Sequence, residues 1–272
     1  MSHDRSPNVR PSLFVAVAVA VTLGAGILPA REPTPAGAAA DTIVTVDGRI
    51  ALHSVAALGD AHLQHTAHVL ELLAATEAVR SGEWERVRER VAEGAERTVP
   101  AVHWFALPDG TYWTLAHGRE SASLADRPYF PRVLAGETVL GELVVSRSSS
   151  RNTAIVAVPV RGPGGSVAGV LGSSVHLDSL SALVRREMGG LDEGHFFFAI
   201  DDQPLGALHS DSTLIFTEPM ELGDEGMRRA FTRILDGEEG SVSYTFRGTP
   251  RTVLYRRSPV TGWWYGFGVV ER

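Results

Sequence analysis

Residues 50 to 80 place Leu52, Val55, Leu63, Ala67, Leu70 and Leu73 at helical spacing with no proline between them, which predicts one long helix. A second amphipathic helix follows from about Glu83 to Arg97, with Trp84, Val87, Val91 and Ala95 on one face and Glu and Arg on the other. From residue 101 the period changes to that of strands. VHWFAL and TYWTLA flank Pro108-Asp109-Gly110 and pair as a hairpin. ELVVS, TAIVAVPV and SVAGVLGSSV predict three more strands, the last two joined at residues 162 to 165. Leu180, Leu183, Val184 and Met188 then mark a connecting helix.

The remainder repeats this plan in shorter form. FFFAIDD, residues 196 to 202, echoes FALPDG, and ILDGEEG after a helix around Met227, Phe231 and Ile234 echoes VLAGETV. SVSYTF, RTVLYRRSP and GWWYGFGVV give three strands, with Pro259 to Gly262 turning between the last two. The echoes read as an internal duplication. Each half is an antiparallel sheet with helices on one side, so the fold class is α+β. Such a sheet covered by helices and loops encloses a natural small-ligand site.

Composition narrows what such a chain does. A formal net charge of -7 and a pI near 5.8 argue against a nucleic-acid partner. No lysine occurs, which removes Schiff-base chemistry and the phosphate-binding lysines of nucleotide enzymes, and the absence of cysteine removes thiolate zinc sites and thiol nucleophiles. No G-x-S-x-G elbow is present, and the Ser, His and Asp residues are too scattered to nominate a triad, so no catalytic residue or cofactor is assigned. His62, His65 and His68 are the strongest metal-ligating cluster, but positions stepping round the axis at about 100° per residue do not all converge, and a polar helix face is the plainer reading.

At the N-terminus, Arg5 and Arg10 precede LFVAVAVAVTLGAGIL, and Ala38-Ala39-Ala40 follows a Pro/Ala-rich stretch. Residues 1–40 therefore read as an export signal, either cleaved or kept as an anchor. The rest of the chain is expected outside the cytoplasm, with residues 41–100 a helical stalk and residues 101–190 and 191–272 two lobes.

In this order, the long first helix, the Asp109-Gly110 hairpin, DRPYF, VLAGE, SR-x-S-x-R, AVPV, G-x-V-x-GVLG and the terminal SP-x-TGWWY resemble the double Cache family, also called PDC sensors, of bacterial chemoreceptors and sensor kinases. The resemblance covers about residues 50 to 272. It implies two PAS-like lobes, the first membrane-distal and ligand-binding, the second membrane-proximal, and a function in extracytoplasmic small-molecule sensing.

On that resemblance the Arg-x-aromatic-aromatic run lines the pocket: Arg127 would hold a ligand carboxylate, with Tyr129 and Phe130 as walls. The alternative is that Arg127 pairs with Asp126 or Glu120 at the surface while the aromatics fill the core. Tyr112 and Trp113 alternate on one strand, so only one of them faces the pocket. Amine-recognising members carry an aspartate where this chain has Ser174. Asp178, the nearest acid, reads as a helix cap. Ser146, Arg147 and Arg151 add donors near the expected pocket edge, or else form a solvated loop. A small organic acid is thus the expected ligand. A separately encoded membrane signalling protein is the expected partner, and the N-terminal helix a route to a homodimer. A ligand-free adaptor is the competing reading.

Overall fold

The computed structural model describes residues 47–271; the expected export signal and the first residues of the stalk lie outside them. The long helix, α1 (Gly48–Ala74), starts where the Asp47 side chain accepts the Arg49 N–H. It ends earlier than the apolar spacing suggests. Thr76 donates its hydroxyl to the Leu73 carbonyl and accepts from Val79 N–H, capping a separate turn, α2 (Glu77–Arg80). A threonine that offers the backbone such local bonds competes with helix continuation. The second amphipathic helix is α3 (Trp84–Ala95).

The first lobe contains β1 (Ala101–Ala106), β2 (Thr111–Thr114), β3 (Gly118–Ser123), α4 (Tyr129–Leu134), β4 (Val139–Val145), β5 (Asn152–Arg161), β6 (Val167–His176) and α5 (Leu177–Glu187). Its six strands are antiparallel in the order β3-β2-β1-β6-β5-β4. β1 and β2 form the expected hairpin, with Trp104 opposite Thr114 and Ala106 opposite Tyr112. Gly110 turns it at φ 84°, and the Asp109 side chain accepts the Thr111 N–H. The edge strand β3, GRESAS, has no apolar alternation and was not anticipated.

The second lobe contains β7 (His195–Ile200), β8 (Gly206–His209), a 3-10 turn (Ser212–Leu214), α6 (Pro219–Leu222), α7 (Glu225–Asp236), β9 (Glu239–Phe246), β10 (Thr249–Arg257) and β11 (Trp264–Val270). Its order, β8-β7-β11-β10-β9, is that of the first sheet without β3. The sequence echoes thus correspond to one strand plan used twice.

Alternation divides each sheet between two cores. Phe105, Leu171, Val156 and Val158 of the first sheet and Phe197, Ala199 and Tyr265 of the second join Leu52, Val55, Leu63 and Leu70 of α1 in one continuous cluster. The opposite faces form separate cores, one around Trp104, Tyr129 and Ile155, the other around Phe198, Phe231 and Tyr244. Both lobes therefore share α1. The Ser258-Pro-x-Thr261-Gly-Trp-Trp segment completes the union: Ser258, Thr261 and Tyr265 donate hydroxyls to Asp60 of α1, and Trp263 donates its indole N–H to the Gly141 carbonyl of β4 at 3.0 Å.

Candidate functional site in the first lobe

The face of the first sheet turned away from α1 carries the residues singled out by the sequence. On β2, Tyr112 points to this face and is buried, whereas Trp113 points to the other and stacks on Trp84 at 6.2 Å. Strand parity resolves that pair. On β1 the same parity puts Trp104 on the same face as Tyr112, and its ring lies 6.2 Å from that of Tyr129. A Cβ at Gly172 on β6 would sit 2.2 Å from the Trp104 ring, so this strand is a glycine where the indole crosses it. Trp104 was not nominated, although its place in the alternating VHWFAL strand carries the signal.

The loop before α4 folds back on itself, with Arg127 N–H donating to the Leu124 carbonyl and Phe130 N–H to the Arg127 carbonyl. This presents the Arg127 side chain to the end of β4, where Nη2 donates to the Val145 carbonyl at 2.7 Å. Its Nε is buried without a partner. Arg127 pairs with neither Asp126 nor Glu120. Asp126 instead receives both Nη groups of Arg147, at 2.6 and 2.7 Å, and Glu120 accepts from Thr114 and His117. The Arg147 hydrogen bonds hold the Asp126 carboxyl at about 2, well below the usual carboxylate range. Arg147 also donates to the Ser123 carbonyl.

Tyr112 and Tyr129 lie close enough to Arg127 and Arg147 to feel their positive charge. Burial nevertheless dominates and pushes both hydroxyls above the usual tyrosine value, so both are neutral donors. Among the described residues neither hydroxyl has a hydrogen-bond partner. Tyr112, Arg127, Tyr129 and Arg147 therefore form one group of cationic and hydroxyl donors, suited to an anion.

Other nominated residues have different duties. Phe130 is buried in the core beneath the group with Val133 and Ile155. Ser146 is buried in the turn before β5: its hydroxyl meets that of Ser148 at 3.2 Å and accepts from Ser149 N–H. Ser174 is on the correct face of β6 but accepts the Trp104 indole N–H at 3.2 Å. Arg151 pairs with Asp178 and His176 rather than standing free at the edge. Asp178 lies in the first turn of α5, whose N-cap residue is His176, so the expected cap position is one element of an ion pair instead. On α1, His62 meets Glu187 at 2.8 Å and His65 meets the Arg97 carbonyl at 2.8 Å, so these two side chains serve different contacts.

No protein-family model and no curated protein sequence matches the chain. Solved structures do. The ligand-binding domain of the amino-acid chemoreceptor PctB of Pseudomonas aeruginosa, in complex with L-Arg, aligns with a TM-score of 0.64 at 17% identity, over 80% of this chain and 92% of that one. The ligand-binding domain of the chemoreceptor CtaA of Pseudomonas fluorescens, in complex with L-alanine, aligns with a TM-score of 0.64 at 16% identity, over 82% and 95%. The extracellular domain of the histidine kinase rpHK1S-Z16 aligns with a TM-score of 0.65 at 17% identity, over 82% and 92%. The fold is that of the double Cache sensor domains.

Proposed function

We propose that the chain is an extracytoplasmic sensing domain whose first lobe binds a small carboxylate on Arg127, flanked by Tyr112 and Tyr129. The observation that carries this reading is the incomplete hydrogen bonding of Arg127: its Nε has no partner, its neighbouring acid belongs to Arg147, and two tyrosine hydroxyls beside it are unengaged. A carboxylate supplies acceptors for all three donors. The ligands named for the similar chemoreceptor domains, L-Arg and L-alanine, both carry one. Ser174 contributes no charge for an ammonium group, which favours simple organic acids over amino acids.

In this reading the chain turns over no substrate and holds no resident cofactor. Occupancy passes to a separately encoded membrane signalling protein, and a homodimer through α1, which exposes Ile50 and Leu72, belongs to the same proposal. A ligand-free adaptor is the second reading, favoured by the engagement of Ser146, Arg147 and Ser174 within the lobe itself.

The test is a melting screen of organic acids, amino acids and amines against the purified domain, since a ligand that binds only the folded state raises its stability. Titration of the best hit into Arg127→Ala follows. A charge-assisted hydrogen bond contributes about 1.5 to 3 kcal/mol, so the variant should bind roughly 10- to 100-fold more weakly. A best ligand that is an amine without a carboxylate, or unchanged binding by Arg127→Ala, overturns the assignment. Silence across all three classes supports the adaptor.

A further inference from the structure

The second lobe has its own enclosed space on the face of the sheet turned away from α1. A cavity of about 40 Å³ lies between β7, β9 and β10 on one side and the 3-10 turn, α6 and α7 on the other. About 10 to 15 Å³ suffices for one water, so this space admits a molecule of a few heavy atoms. Its lining is mostly apolar, including Phe198, Leu208, Leu214, Met227 and Phe231, and contains no Asp or Glu.

The one charged group in that lining is Arg251 of β10. Its guanidinium lies over two rings, with Cζ 4.8 Å from the centroid of Phe196 and 4.7 Å from that of Phe246. Stacking of this kind orients the donors while leaving their edges free. Among the described residues Arg251 has no carboxylate partner, and its Nε is buried without any hydrogen bond. Its side-chain partner is the Tyr244 hydroxyl rather than an acid, and it faces a cavity. Tyr244 adds a hydroxyl beside Arg251, and burial keeps it protonated, at about 12. His209 also borders the cavity. Its Nδ1 accepts the Asp211 N–H at 2.8 Å, which assigns the ring proton to Nε2 and makes the imidazole a further neutral donor.

The covering segment is drawn tightly over the space. Gly206 N–H donates to the Thr217 carbonyl and Phe216 N–H to the Gly206 carbonyl, and a Cβ at Gly206 would meet the Leu214 carbonyl at 2.8 Å. Phe216 adopts φ 62°, a conformation strained for a bulky residue and one that recurs at ligand clamps.

We propose that this cavity is a second ligand site, which takes a short-chain monocarboxylate: the carboxylate on Arg251 and the Tyr244 hydroxyl, the alkyl group against Phe198, Met227 and Phe231. The charge balance fixes the sign, because a half-buried cation with no acid in the cavity lining attracts an anion and repels an amine. The apolar lining fixes the tail, and the small volume favours the shortest chains. The site is independent of Arg127, so the two lobes can be tested separately.

The experiment titrates acetate, propionate and butyrate into the wild-type domain and into Arg251→Gln, Leu222→Trp and Arg127→Ala, by calorimetry and by melting temperature. Arg251→Gln keeps a planar group over the rings without the charge. Leu222→Trp fills the rim from a residue that is 43% exposed and so is tolerated by the fold. With any first-lobe binding removed by Arg127→Ala, propionate should still bind at one per chain. Arg251→Gln and Leu222→Trp, each made in the Arg127→Ala background, should bind it at least tenfold more weakly, and propionamide should bind Arg127→Ala at least tenfold more weakly than propionate. The proposal is overturned if none of the three acids binds wild type, if binding survives in both folded second-lobe variants, or if Arg127→Ala by itself abolishes it.

Discussion

Tyr265 donates its hydroxyl to Asp60 Oδ1 at 2.9 Å, tying the last strand of the second lobe to the helix that both lobes share. The close approach is built in at Gly59, where a Cβ would lie 2.6 Å from the Tyr265 oxygen. Asp60 also accepts from Ser258 and Thr261, and its burial raises the carboxyl above its usual value despite these donors. Tyr265→Phe removes one of three donors and should lower the unfolding free energy by about 1 to 2 kcal/mol. Asp60→Ala strands three hydroxyls and should cost about 2 to 4 kcal/mol. Urea denaturation measures both, and equal effects would show that the acid is not the hub.

The second tie between the lobes is the Trp263 indole on the Gly141 carbonyl. Gly141 sits at φ 89°, at a bulge in β4, with the indole 3.2 Å from where a Cβ would stand. Gly141→Ala therefore combines backbone strain with a clash and should destabilise by about 1 to 3 kcal/mol. Trp263→Phe keeps the ring but leaves a buried carbonyl without its donor, costing about 1 kcal/mol or more. Thermal melts of the two variants check this; a neutral Gly141→Ala would refute the bulge geometry.

Acid should destabilise the protein through its buried histidines. His103, between Ser173 and Thr98, is held at about 4 by burial, and His209 likewise. The unfolded chain binds these protons from about 6.5 downward while the folded chain resists them until about 4, so stability falls as pH drops through that window. The His103 contribution is of order 3 kcal/mol. Asp60, shifted upward, works in the opposite direction toward the acid end. His103→Gln should flatten the denaturation-versus-pH curve between pH 6.5 and 4 without abolishing its slope, because His209 remains.

Under the first-lobe assignment, Asp126 decides how much positive charge a ligand meets. Asp126→Asn releases Arg147 from its two-toothed partner, and the wild-type pair persists at ordinary pH because the Asp126 carboxyl titrates only at about 2. The variant should bind a dicarboxylate such as succinate roughly tenfold or more tightly than wild type, with a smaller change for a monocarboxylate. Calorimetry in low salt tests it. Unchanged succinate affinity would place Arg147 outside the ligand's reach.

Most strands were legible because alternation and turn residues coincide, as in VHWFAL-PDG-TYWTLA. β3 was not, since an exposed edge strand such as GRESAS needs no apolar face to pair. The helix break at Thr76 was hidden because apolar spacing continues across it. At the site, parity distinguishes Tyr112 from Trp113, and the same rule would have found Trp104. The pairing of Asp126 was beyond reach: adjacent to Arg127 in sequence, it is taken by Arg147 because the loop after β4 folds back across the sheet. Which guanidinium is left with a free nitrogen is a property of that tertiary closure.

The shared helix also meets the two sheets at different points along its length. His53 and Asp60 touch Arg256, Ser258 and Tyr265 of the second lobe, whereas Glu71 touches Thr138 of the first. The stretch between Asp60 and Glu71 is therefore a phase as much as a distance. One inserted residue would advance the first lobe by about 1.5 Å and turn its docking face by about 100° relative to the second, whereas seven would restore the face to within about 20°. Length variation in this stretch should be tolerated by period rather than by size.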